Sequence, residues 1–131
     1  MPIRLLLTGV LLCACMVVPA MAQTRFIPHP AGCPARAFCG CGASVEVFGK
    51  PIRSLYLAAA WFKFPRSEPS PGKVAVRRGH VFVLREHVQG KVWKVYDANS
   101  GGGKTRIHNR SISGWTIVNP HGGTSQIAHA F

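Results

Sequence analysis

The first 22 residues determine which part of the chain can belong to the folded domain, because they have the features of a signal peptide (the leader) that is removed from the mature protein. Arg4 gives a positively charged start, residues 5–18 form an apolar run, and residues 20–22 (Ala-Met-Ala) match a small-residue cleavage site. We therefore predict an exported protein, periplasmic or secreted, whose signal peptide is residues 1–22. Lipid attachment at Cys15 is an alternative that the sequence leaves open.

The rest of the chain has the length of one compact domain with a single hydrophobic core. We predict an extended arm over residues 23–32, a folded domain over residues 33–120 and a flexible C-terminal tail over residues 121–131. No apolar run of about 20 residues follows the leader, so we expect no membrane span in the mature protein. We expect the domain to be a monomer.

The charge balance is strongly basic, with 16 Lys and Arg against 4 Asp and Glu and a net charge of +12. It excludes a disordered acidic tail, and 47% hydrophobic residues favour a folded domain. Outside the cytoplasm, such a charge favours an anionic partner such as peptidoglycan or another cell-wall polymer. A basic surface without a dedicated ligand is the alternative. Nucleic-acid binding is a third possibility, but the basic residues are scattered and form no known nucleic-acid motif.

Three cysteines follow the leader: Cys33, Cys39 and Cys41. An odd number in an oxidising compartment leaves one thiol unpaired. Cys39 and Cys41 are separated by one residue and could bridge only with strain, whereas a Cys33–Cys39 disulfide would close a short loop. That pairing leaves Cys41 free. Three reduced cysteines, or an intermolecular bridge, are equally open alternatives.

The pattern of apolar residues changes along the chain. Residues 42–48 predict a short helix with Cys41 at its N-terminal end, and residues 52–62 predict a second helix from apolar positions three and four apart. After Gly72 the pattern predicts five strands, over residues 73–77, 80–85, 91–97, 105–108 and 115–119. Helices followed by antiparallel strands predict an α+β domain, with N-terminal helices packed on a small sheet.

Four polar residues have the spacing of a cysteine hydrolase site. A helix N-terminus and a nearby imidazole activate a thiol, which points to Cys41 as nucleophile and His80 as base. In an antiparallel hairpin, the sequence numbers of paired residues have a constant sum. If the second and third predicted strands are joined by a two-residue loop, that sum is 179 and Asn99 lies opposite His80. A four-residue loop places Asp97 there instead. Because strand side chains alternate, Asp97 and Asn99 share one face in either register, and one of them can orient the imidazole.

These segments resemble the CHAP and NlpC/P60 group of bacterial cysteine amidases and endopeptidases. The resemblance lies in residues 41–45 (CGASV), 69–76 (PSPGKVAV), 79–81 (GHV) and 97–99 (DAN). It implies a papain-like fold, cleavage of an amide bond in peptidoglycan peptides, and a site made of Cys41, His80, Asp97 and Asn99. Cys39, two residues upstream, is the alternative nucleophile. The alternative function is a non-catalytic cationic module that binds anionic cell-wall polymer.

Two other constellations are weaker. Residues 98–105 fit a relaxed phosphate-loop pattern, but strand-like residues follow it where a helix is required, so we expect no nucleotide. Several Cys and His side chains are possible zinc ligands: Cys33, Cys39, Cys41, His80, His87 and His108. Their spacing includes no paired chelating motif, so we predict neither a metal nor a cofactor. The three tryptophans, Trp61, Trp93 and Trp115, suit the core, although one beside the thiol could stack on substrate.

Overall fold

The computed structural model describes Cys13 and residues 24–122, and the predicted leader and most of the predicted tail lie outside the described residues. The elements are β1 (Arg25–Ile27), α1 (Cys39–Phe48), two 3₁₀ helices (Arg53–Leu55 and Ala58–Lys63), β2 (Val74–Arg77), β3 (His80–Gln89), β4 (Val92–Ser100), β5 (Lys104–Ser111) and β6 (Thr116–Val118). The strands form one six-stranded sheet in the order β1-β5-β4-β3-β2-β6. Every pair of neighbours is antiparallel.

The prediction of an α+β, papain-like domain with N-terminal helices is wrong, because the described chain is mostly β. The described residues form six strands in one sheet and one α-helix, α1, which is ten residues long. The five predicted strands are present with shifted ends, and the predicted arm contributes a sixth, β1, which pairs with β5. Three residues are too few for the arm's apolar pattern to identify a strand.

The predicted second helix is replaced by the two 3₁₀ helices. The buried residues of this segment recur every third position: Ile52, Leu55, Ala58, Trp61 and Phe64. A spacing of three matches the 3₁₀ helix, which has three residues per turn, whereas an α-helix buries positions three and four apart. The indole N–H of Trp61 donates to the Leu55 carbonyl at 2.9 Å, which ties the two short helices together. The segment therefore covers the core without forming an α-helix.

The sheet has apolar side chains on both faces. On one face α1 and the 3₁₀ helices pack against a cluster that includes Val74, Val76 and Tyr96. On the other face a smaller cluster contains Phe82 and Trp93. Along β2, Ala75 belongs to this second cluster while its two neighbours belong to the first, as strand alternation requires.

Two glycines allow α1 to lie close to its neighbours. A Cβ at Gly40 would overlap the backbone carbonyls of Leu55 and Tyr56, and a Cβ at Gly42 would overlap the Cβ of Ala98 on β4. This close packing fixes the N-terminal turn of α1 against the sheet. At its other end, the helix ends at Gly49, whose φ of +79° suits a residue without a side chain and whose N–H donates to the Val45 carbonyl at 2.9 Å.

Candidate active site

The free thiol of the folded domain is at the N-terminus of α1. The helix begins at Cys39, whose side chain is unpaired and 6% exposed. The N–H of Gly42 donates to the Phe38 carbonyl at 2.8 Å, which closes the first helical turn. The N–H groups of Cys39 and Gly40 precede this bond and have no acceptor within the helix. These N–H groups and the helix dipole favour negative charge near the Cys39 sulfur.

The predicted nucleophile, Cys41, is bonded to Cys33 in a disulfide. This bond overturns both the assignment of Cys41 as the free thiol and the predicted Cys33–Cys39 pairing. The reason is that α1 begins earlier than predicted, so Cys39 and not Cys41 is its first residue. Residues two apart on a helix point in different directions, and Cys41 faces Cys33 while Cys39 stays free. The structure therefore favours the alternative, Cys39.

The segment before Cys39 is held in one conformation. Ala37 has a φ of +50°, which an alanine rarely adopts and which surrounding contacts must maintain. The His29 ring contacts the Phe38 ring edge-on at 4.3 Å between centroids, and its Nε2 donates to the Cys33 carbonyl at 3.1 Å. Together with the disulfide, these contacts fix the approach to α1 and hence the position of Cys39.

His80 is the first residue of β3 and lies between the thiol and a carboxylate. Its Nε2 donates to Oδ1 of Asp97 at 2.6 Å, and its ring also interacts with the Cys39 side chain. Burial lowers the pKa of His80, but the hydrogen bonds with Asp97 and Cys39 and the charges of both groups outweigh it and raise the pKa to about 9. The imidazole of His80 therefore holds its proton at neutral pH.

Asp97 on β4 is the centre of a buried hydrogen-bond network. Its side chain has no exposed surface. Oδ1 accepts from His80, whereas Oδ2 accepts from His108 at 2.7 Å, from Arg110 at 2.9 Å and from the Ser100 hydroxyl at 3.0 Å. Burial raises the pKa of Asp97, but the hydrogen bonds from His80 and His108 and the charges of His80 and Arg110 outweigh it and hold the pKa below its usual range. The carboxylate stays ionised and fixes the plane of the His80 ring.

Asn99, the other predicted partner of His80, does not contact the imidazole. The β3–β4 register pairs Val83 with Tyr96, which is the register that the two-residue loop predicts. A bulge then interrupts the pairing of β4 with β5 between Asp97 and Ser100, and Asn99 has a left-handed φ of +56° within it. The structure therefore brings Cys39, His80 and Asp97 together and leaves out Asn99.

Three residues of β5 complete the site, and from the sequence only His108 was singled out, as a possible zinc ligand. Arg106, His108 and Arg110 occupy alternate positions and so lie on the face that Asp97 shares. His108 and Arg110 donate to Asp97 directly, while the Nε of Arg106 donates to the Ser100 hydroxyl at 2.9 Å. The signal that could have identified them is a basic residue at every second position from 106 to 110, in and just after a predicted strand, next to a strand with a lone Asp.

Within residues 24–122, no cluster of three His, Cys, Asp or Glu side chains has an arrangement that could hold a metal ion. In the same part of the chain, no helix is long and apolar enough to cross a membrane.

Comparison of the chain with protein-family models, with curated proteins and with solved structures finds no match. The resemblance to the CHAP and NlpC/P60 group therefore stays a prediction. The case for a function rests on the geometry of Cys39, His80 and Asp97.

Proposed function

We propose that this protein is a cysteine hydrolase that cleaves an amide bond through a thioester on Cys39. The observation that supports the proposal is a group of three side chains: a free thiol at a helix N-terminus, an imidazole with a raised pKa beside it, and a buried carboxylate bonded to Nε2 of that imidazole. A nucleophile, a base and a group that orients the base are the parts that acyl transfer requires.

The reaction follows from these positions. The Cys39 sulfur attacks the carbonyl carbon, the C–N bond breaks, and the imidazolium of His80 gives its proton to the departing amine. Water then attacks the thioester while His80 accepts a proton from that water, the C–S bond breaks, and the acid and the Cys39 sulfur are released with His80 again protonated. The N–H groups of the first turn of α1 have no acceptor within the helix, and we assign them to the negative oxygen that forms in each step. Asp97 keeps the imidazole in place throughout.

For the substrate, we propose the peptides of an anionic cell-wall polymer, with peptidoglycan as the first candidate. The support is the net charge of +12 together with the predicted export. A binding module without catalysis would have the same charge and would adsorb to the same polymer. The His80–Cys39 contact favours the enzyme, because polymer binding needs no free thiol beside a positioned imidazole.

The test compares wild-type protein with Cys39→Ser on purified peptidoglycan. We expect wild type to release new amino and carboxyl termini, and Cys39→Ser to bind the polymer equally well and release none, because the site is built to activate a thiol. The matched control is the double variant Cys33→Ser/Cys41→Ser, which removes the disulfide and leaves Cys39 in place. At a temperature where it is folded, it should still release termini.

Two results would count against the proposal. Equal release by wild type and by Cys39→Ser would show that the thiol is not the nucleophile. Binding without release by wild type, with and without reductant across pH 5 to 8.5, would favour the binding module.

A further inference from the structure

Trp115 joins the candidate active site to a group of positive charges. Its ring lies edge-on to the His80 ring, with 6.2 Å between centroids. The guanidinium carbon of Arg77 lies 4.3 Å from the Trp115 centroid, and that of Arg110 lies 4.9 Å from it. Arg110 also lies 4.6 Å from the Phe82 ring. Two guanidinium groups are therefore positioned on the aromatic ring next to the proposed base.

Both guanidinium groups have N–H groups that are available to bind a ligand. A guanidinium that rests on a ring keeps its N–H edge free for a planar anion. Arg110 uses one nitrogen to bind Asp97, and Arg77 makes one long bond, 3.4 Å, to the Ser113 carbonyl. Within residues 24–122 their other N–H groups have no protein acceptor. Arg77 is exposed as well, so its free edge is accessible to a ligand.

The chain has too few carboxylates to neutralise this charge. Of its four acidic residues, Glu46 binds Arg85 at 2.7 Å and Glu86 binds Lys94 at 3.3 Å. Asp97 is shared among four donors.

The last acidic residue, Glu68, lines an open groove of about 610 Å³ whose other walls include Arg66 and Trp115. Among the described residues 24–122, no carboxylate forms an ion pair with Arg77. The groove has the volume of a small-ligand site and reaches the ring beside His80.

We propose that Arg77, with Arg110 on the same ring, binds a carboxylate of the substrate. This subsite makes the enzyme selective for peptides with a free carboxylate close to the scissile amide. The inference rests on the proposed hydrolase function and names its substrate class. The path from the His80 ring across the Trp115 ring to the Arg77 guanidinium is at most about 10.5 Å, which two or three residues of extended peptide span. The carboxylate therefore belongs within three residues of the cleaved bond.

The test uses two synthetic peptides that differ only in a C-terminal carboxylate or carboxamide two residues after the scissile bond. A charge-assisted pair with Arg77 should raise kcat/KM for the acid over the amide by about 10-fold or more. Arg77→Met should bring this acid-to-amide ratio close to one. Arg77→Lys should give an intermediate ratio, because it keeps the charge and loses the planar fork.

The matched control is Arg78→Met. Arg78 is also an exposed arginine, in the turn after β2, and it contacts no aromatic ring among the described residues. Its replacement removes one positive charge from the same region and should keep the wild-type ratio. A wild-type ratio of one or less, or the same loss of selectivity in both variants, would overturn the inference.

A second measurement separates this subsite from the hydrolase proposal. If no variant cleaves either peptide, binding of both peptides to the Cys39→Ser protein is measured by calorimetry. Tighter binding of the acid, lost in Cys39→Ser/Arg77→Met, would support the anion subsite although hydrolysis had failed. Equal affinity for the acid and the amide would overturn it.

Discussion

Replacing Asp97 by Asn removes the charge on which three basic side chains converge, and we expect it to destabilise the fold strongly. The carboxylate has no exposed surface and accepts four hydrogen bonds of 2.6 to 3.0 Å. An amide has one acceptor oxygen, and its NH₂ group would face donors. Breaking a buried charged pair by removing one partner costs about 3–5 kcal/mol. This is a large part of the roughly 5–15 kcal/mol that stabilises a small domain.

Urea unfolding at pH 6, followed by tryptophan fluorescence, measures this effect. With a slope of about 2 kcal/mol per molar urea, the midpoint of Asp97→Asn should fall by about 2 M. The control is Glu86→Gln, which makes the same chemical change in a side chain that is 69% exposed and 3.3 Å from Lys94. Its free energy of unfolding should change by less than about 1 kcal/mol. A change below 1 kcal/mol for Asp97→Asn would refute the idea that Asp97 is the centre of a stabilising network.

The free energy of unfolding should fall in acid because Asp97 loses its charge there. The pKa of Asp97 in the folded state lies below its usual value, so the contribution of Asp97 to the free energy of unfolding is complete above about pH 4. This contribution is lost as the pH falls through the folded-state pKa. The difference in free energy of unfolding between wild type and Asp97→Asn should therefore become smaller in acid.

Three other outcomes are expected. The Cys33→Ser/Cys41→Ser variant should lose about 2–4 kcal/mol of stability in thermal unfolding, because the disulfide fixes the segment before α1; no loss would show that the segment is held by other contacts. Gly42→Ala should lose about 1–3 kcal/mol, because its Cβ would overlap that of Ala98, whereas Gly79→Ala has open space and should stay within about 0.5 kcal/mol; equal effects would contradict the packing of α1 on β4. The rate of amide cleavage should fall as the pH rises through about 9, where His80 loses the proton that the leaving amine needs; a rate that stays constant to pH 10 would exclude His80 as the acid.

The strands could be predicted from the sequence because their apolar positions alternate with period two. The same periodicity placed His80 and Asp97 on one face, independently of the register. The sequence could not separate Asp97 from Asn99, because that choice depends on a bulge in β4 and a left-handed backbone at Asn99. The strand propensity of single residues does not predict a bulge that is imposed by tertiary contacts.

The assignment of the thiols failed for a different reason. Cys39, Gly40 and Cys41 are compatible with a helix that begins at any of them, and helix ends are the least certain part of a sequence pattern. A shift of the start by two residues exchanges the free thiol and the disulfide partner. The Asp97 network was missed because each basic residue of β5 is unremarkable by itself and acquires its role only through pairing with β4.

Our main proposal is that Cys39, and neither Cys33 nor Cys41, is the reactive thiol, because His80 lies beside it and Asp97 holds His80 in place. The most direct measurement is the rate of alkylation by iodoacetamide at pH 6, mapped by mass spectrometry without reduction. Cys39 and Cys41 share the tryptic peptide 37–53, so fragmentation within that peptide must locate the label. We predict labelling of Cys39 at least 10-fold faster than that of a model peptide thiol, and a loss of this advantage in His80→Gln. Labelling of Cys41, or a Cys39 rate equal to that of the model thiol, would contradict the account.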